Sequence, residues 1–132
     1  MIRRSLAALG LIVTLIAAVH SNAQTSDPHP ETRYETILLR LSEIMGSVHF
    51  LSILCQSNEE PGVWRQQMEA LLEAESAFPQ RRRLMTIRFN RGYSSFSQVY
   101  RTCTPSAKEA LDRYRAEGGE ITQELVAIYG RK

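Results

Sequence analysis

Residues 34–55 read YETILLRLSEIMGSVHFLSILC. Tyr34, Ile37, Leu38, Leu41, Ile44, Met45, Val48, Leu51 and Cys55 recur in steps of three and four, which gathers them on one face of an α-helix. The spacing predicts a first helix over residues 31–55. QSNEEPG, residues 56–62, breaks the period with polar and turn-forming side chains. Pro61 suits the first position of a second helix, where a missing N–H is no loss. Trp64, Met68, Leu71 and Leu72 carry that helix toward AFPQ, residues 77–80.

A third helix is predicted over residues 80–102. Its stripe is Met85, Phe89, Tyr93, Phe96, Tyr100 and Cys103. The spacing says core for these rings before it says ligand site. Gly92, inside the stripe, is either a close-packing position or a weak point. Thr104 can cap a fourth helix and Pro105 can open it. That helix carries Ala107, Leu111, Tyr114, Gly118, Ile121, Leu125 and Ile128. Two interior glycines cost about 2 kcal/mol against alanine, so a kink or break is expected at Gly118-Gly119. No useful segment alternates with a period of two, and nothing repeats.

Four amphipathic helices with short connections predict an all-α fold, a four-helix up-down bundle. Cys55 ends the first helix and Cys103 the third. In that topology these two helices are parallel, so the cysteines fall at one end. The Cys55–Cys103 disulfide that follows would close a 48-residue loop, worth about 4 kcal/mol in the chain-entropy model. It fits an oxidising compartment.

The start of the chain points to that compartment. Arg3 and Arg4 precede an apolar run over residues 6–19, and Ser21 and Ala23 supply the small residues of a cleavage site. This is the three-part pattern of a secretory signal peptide, and its run is short for a membrane span. The expected organisation is a cleaved signal over 1–23, a flexible lead-in over 24–30 and one helical domain over 31–130. Without Arg3 and Arg4, the 16 basic residues become 14 against 14 acidic ones. A neutral exported chain is not expected to bind nucleic acid, nor to stay in the membrane once cleaved.

No catalytic constellation emerges. His49 is the one histidine in the helical part, and zinc chemistry needs more ligands than it offers. Ser94, Ser95 and Ser97 lack a base, and Glu69 with Glu73 reads as a solvated helix face. No enzyme activity, metal or cofactor is expected. The arginines say more. Arg81, Arg82, Arg83, Arg88, Arg91 and Arg101 fall within residues 81–101, which contain no Asp or Glu. Guanidinium forks recognise carboxylates in pairs of hydrogen bonds. The bland expectation is that they pair with Glu69, Glu73, Glu75 and other acids on neighbouring helices. The sharper one makes Arg81, Arg82, Arg83, Arg88 and Arg91 a partner-binding surface.

Several blocks together carry a resemblance: LC at 54–55, WRQQMEALLEAE from Trp64, FNRGY from Phe89, VYRTCT from Val99 and AEGGEITQELV from Ala116. Over roughly residues 31–129 the chain resembles a family of small exported alphaproteobacterial proteins catalogued as a domain of unknown function. The resemblance implies periplasmic location, a helical domain and the two cysteines, and it transfers no catalytic residue. It also points toward control of peptidoglycan hydrolases. The expected function is therefore a periplasmic, non-enzymatic inhibitor or modulator of a lysozyme-type or lytic-transglycosylase-type enzyme. The alternative is an envelope adaptor that binds peptidoglycan or a membrane protein complex.

Overall fold

The computed structural model describes residues 30–58 and 60–130. The expected signal peptide and residues 24–29 of the lead-in lie outside them. Four helices follow in order: α1 (Pro30–Leu54), α2 (Val63–Ala74), α3 (Pro79–Ser97) and α4 (Pro105–Tyr129). No strand occurs among the described residues. α1 is the axle: α2, α3 and α4 all pack on it, α3 most extensively.

Side-chain pairs give the directions. Glu35 meets Arg81, Glu43 meets Arg88, and Cys55 is bonded to Cys103, so α1 and α3 run parallel. Arg33 meets Glu124 and Arg40 meets Glu117, so α4 is antiparallel to α1. Tyr34, near the start of α1, meets Glu75 just past the end of α2. The result is the up-down bundle, stapled by the disulfide with 4.9 Å between the two Cα atoms.

Two apolar clusters fill it. Ile44, Val48 and Leu51 pack with Ala107, Ala110 and Leu111 of α4. Leu38 and Met45 pack with Met68 of α2 and with Met85 and Phe89 of α3. Trp64 touches both clusters. An axle covered on three sides must be apolar around most of its girth. Residues Thr32–Leu54 are in fact long and apolar enough to cross a membrane, yet half of their most apolar window is buried inside this fold. Buried serines fit because each hydroxyl donates to a carbonyl one turn back: Ser42 to Leu38 at 2.7 Å and Ser47 to Glu43 at 3.0 Å.

The α1–α3 crossing is made by glycines. A methyl group built on Gly46 would run into the Phe89 carbonyl, and one on Gly92 into the Glu43 carbonyl. Each helix therefore gives up a side chain where the other's backbone passes. Gly92 is a close-packing position.

Four local expectations need correction. α2 starts at Val63, not Pro61. The chain turns through Gly62 at φ 90°, a left-handed conformation that glycine adopts without strain and that places Pro61 outside the helix. α3 ends at Ser97, five residues short of 102. Ser95 and Ser97 hydroxyls compete for backbone carbonyls there, and the chain must leave the helix to bring Cys103 to Cys55. Tyr100 consequently lies beyond the helix, and Tyr93 sits at the edge of the buried face, 38% exposed. Last, α4 runs unbroken through Gly118-Gly119. Packing of Leu111, Tyr114 and Ile121 on the α1 cluster outweighs the glycines' weak propensity. Thr104 caps α4 as expected, its side chain accepting from the Ala107 N–H at 3.1 Å.

The glycines separate cleanly by substitution. Gly46→Ala and Gly92→Ala should each lower the unfolding free energy by roughly 3 kcal/mol or more in urea melts, because backbones must part. At Gly119 an added Cβ would meet nothing within 4 Å, so Gly119→Ala should raise it by up to about 1 kcal/mol. A neutral Gly46→Ala would show that the crossing tolerates separation.

Candidate functional site

The arginine run divides into satisfied and exposed members. Arg81 is satisfied. Its side chain is 13% exposed, and its Nη1 donates to Glu75 Oε2 at 2.7 Å. The same carboxylate accepts from the Tyr34 hydroxyl at 2.6 Å. The Arg81 guanidinium lies over the Phe78 ring at 4.4 Å and the Tyr34 ring at 5.3 Å. Tyr34 in turn meets Tyr129 edge to face at 4.9 Å. One knot thus joins the start of α1, the α2–α3 turn and the end of α4. Burial, then the hydrogen bond to Glu75 and its charge, push the Tyr34 phenol up to about 12.

Arg88 is satisfied too, but by α1: its Nη1 sits 3.2 Å from Glu43 Oε2. Glu43 continues to Arg40 at 3.7 Å, and Arg40 grips Glu117 of α4 through two hydrogen bonds, 2.7 and 2.8 Å long. Those bonds to Glu117 raise the Arg40 pKa above its ordinary value. The chain Arg88–Glu43–Arg40–Glu117 crosses three helices. Arg81 and Arg88 thus pair with Glu75 and with two acids of α1, Glu35 and Glu43, while Glu69 pairs loosely with Arg65 at 3.9 Å.

Arg83 and Arg91 differ. Both are exposed, and neither has an ion partner among the described residues. With Ile87, 50% exposed, they stand at i, i+4 and i+8 on the outward face of α3, about 12 Å from first to last. Arg82 is half-buried, and its Nε is enclosed without a hydrogen-bond partner. The structure therefore brings together the exposed pair and withdraws Arg81 into the fold.

His49 packs against aromatic rings of α3. Its ring faces Phe89 and Tyr93, with centroids 5.8 and 5.9 Å away. Burial, then the Arg65 charge, hold its pKa below the ordinary value. It is a packed imidazole. Among the described residues no three His, Cys, Asp or Glu side chains converge on a point.

A feature that the sequence reading missed lies on the other flank of α1. α2 and α4 stand apart there, leaving an open groove of about 550 Å³. Leu41, Ile44, Met45 and Val48 of α1 form its floor. Trp64, Gln67 and Leu71 form the α2 wall, and Tyr114, Arg115 and the Gly118-Gly119 pair much of the α4 wall. The available signal was the glycine pair itself. An unbroken helix that keeps two interior glycines leaves its wall low at that point.

Residues 33–129 match the model of a family described as Protein of unknown function (DUF2385). The chain belongs to that family. No curated protein and no solved structure matches it.

The Tyr34–Glu75–Arg81 knot makes two measurable statements. Glu75→Gln strands a largely buried guanidinium and should cost roughly 3 kcal/mol or more in urea melts. Replacing both partners, Glu75→Leu with Arg81→Met, should recover much of that loss. The folded Tyr34 value lies above the ordinary 10, so its neutral form stabilises the native state fully below about pH 10, and that contribution is lost as pH rises toward 12. Ultraviolet titration of the five tyrosines should show one late step near pH 12, absent in Tyr34→Phe.

Proposed function

We propose that the protein is a non-enzymatic module of the periplasm, exported through its N-terminal signal and processed there, that restrains a peptidoglycan hydrolase. The outward α3 face carries this reading: two exposed arginines flank an exposed isoleucine in a chain of otherwise balanced charge. Glycan-cleaving enzymes present paired carboxylates in an open cleft. An arginine on a rigid helix can enter such a cleft as a bidentate donor, while Ile87 supplies an apolar anchor beside it. The disulfide favours an oxidising compartment, and the packing of His49 against Phe89 and Tyr93 favours binding over catalysis.

The contact is therefore narrower than the whole arginine run. Arg83 and Arg91 lead it, Arg82 stands at its edge, and Arg81 and Arg88 serve the fold. Purified protein should slow the clearing of wall suspensions by at least one lysozyme-type or lytic-transglycosylase-type enzyme. Arg83→Glu with Arg91→Glu should abolish the effect with the helical circular-dichroism signal intact. The effect should also weaken as salt rises, because the contact is charged. Unchanged clearing across both enzyme types would overturn the proposal, and retention on insoluble wall without inhibition would favour an adaptor instead.

A further inference from the structure

We infer that the groove between α2 and α4 is a second binding site, and that it takes an anionic amphiphile: an apolar chain or ring system ending in one carboxylate or phosphate. The inference is independent of the arginine face, since no residue of α3 lines the groove.

The volume selects the class of occupant. About 550 Å³ falls inside the range of small-molecule clefts, roughly 300–1,000 Å³. An open groove of that volume suits a slender ligand laid along its floor.

The lining selects its chemistry. From Leu41 to Val48 the floor runs about 10 Å along α1 and is entirely apolar. Because α2 and α4 run antiparallel to α1, Trp64 and Tyr114 lie toward the Val48 end, and Leu71 toward the Leu41 end. The only formal charge among the lining residues is Arg115. Asp112, 4.0 Å from it and 79% exposed in its side chain, stands outside the lining. Gln67, Thr122 and Gln123 add uncharged hydrogen-bonding groups at the rim. The groove is therefore apolar along its length, cationic at one place and free of carboxylates, which complements an apolar body with a single anionic head.

The glycine pair bears on access. Gly46 and Gly92 are required by backbone contact, but an added Cβ at Gly119 would meet nothing within 4 Å. Internal packing does not call for glycine there. Its missing side chain instead keeps the α4 wall low beside Arg115.

Trp64 is the chain's single tryptophan, so the groove carries its own reporter. Protein processed by its host is titrated with dodecanoate, monododecyl phosphate and dodecylamine, each below its micelle concentration, while tryptophan emission is followed. Saturable, one-to-one changes are expected with one or both anionic probes and none with the amine. The carboxylate and phosphate arms distinguish a fatty-acid source from a phospholipid source. Arg115→Gln should weaken anionic binding at least tenfold. Gly119→Leu, which fills the groove, should abolish it while thermal unfolding stays cooperative. Equal binding of the amine, anionic binding that survives Gly119→Leu, or no saturable change with either anion would each overturn the inference.

Discussion

Where α1 and α3 cross, Gly46 faces the Phe89 carbonyl and Gly92 faces the Glu43 carbonyl. Two backbones that close leave no room for a side chain on either. Much else is fixed by that contact. It sets the parallel register of the two helices, and the register carries Cys55 and Cys103 to the same end of the bundle. It also places Arg88 within reach of Glu43 and turns His49 against the Phe89 and Tyr93 rings. The crossing thus links a steric constraint to the disulfide, to the ion chain and to the packing of His49, the one histidine among the described residues.

A second consequence is asymmetry around the axle. α3 is held close and broadly, whereas α2, only 12 residues long, covers one end and one side. α4 grips α1 through Leu111 and its neighbours and through the Arg40–Glu117 pair. α2 and α4 each pack on α1, and the floor between them is an open groove. Charges are arranged to match. The innermost pair, Glu75 with Arg81, ties helix ends, and the Arg88–Glu43–Arg40–Glu117 chain ties helix middles. Arg83 and Arg91, which serve neither, stand on the outer face of α3.

Helix number, order and the disulfide were legible because each rests on local information: a three-four period, a Thr-Pro cap, and two cysteines in the segments that follow elements 1 and 3. The errors share one physical origin. Pro61 is a sound helix opener, but the left-handed Gly62 after it decided the entry. The aromatic period continues to Tyr100, but the helix yields at Ser97 to the geometry of the staple. Gly118-Gly119 is a weak spot by propensity, and tertiary packing overrode it. The arginine run was visible as a charge excess. Which of its members were satisfied depended on acids far away in sequence, above all Glu43 for Arg88. The groove was the least legible feature, since it is an absence of contact between two helices that no single segment encodes.

The two glycine pairs sharpen the functional argument. A glycine inside a helix costs stability, and the fold recovers that cost at the α1–α3 crossing by bringing backbones into contact. At Gly119 it recovers nothing within the chain. Stability alone therefore accounts for Gly46 and Gly92 and leaves Gly119 unexplained, beside the only charged residue of an otherwise uncharged, largely apolar groove. The arginines follow the same logic: packing and pairing account for Arg81 and Arg88 but not for Arg83 and Arg91. What remains after the fold's own demands are met is two surfaces on opposite flanks of one axle, one cationic and convex, the other apolar and concave.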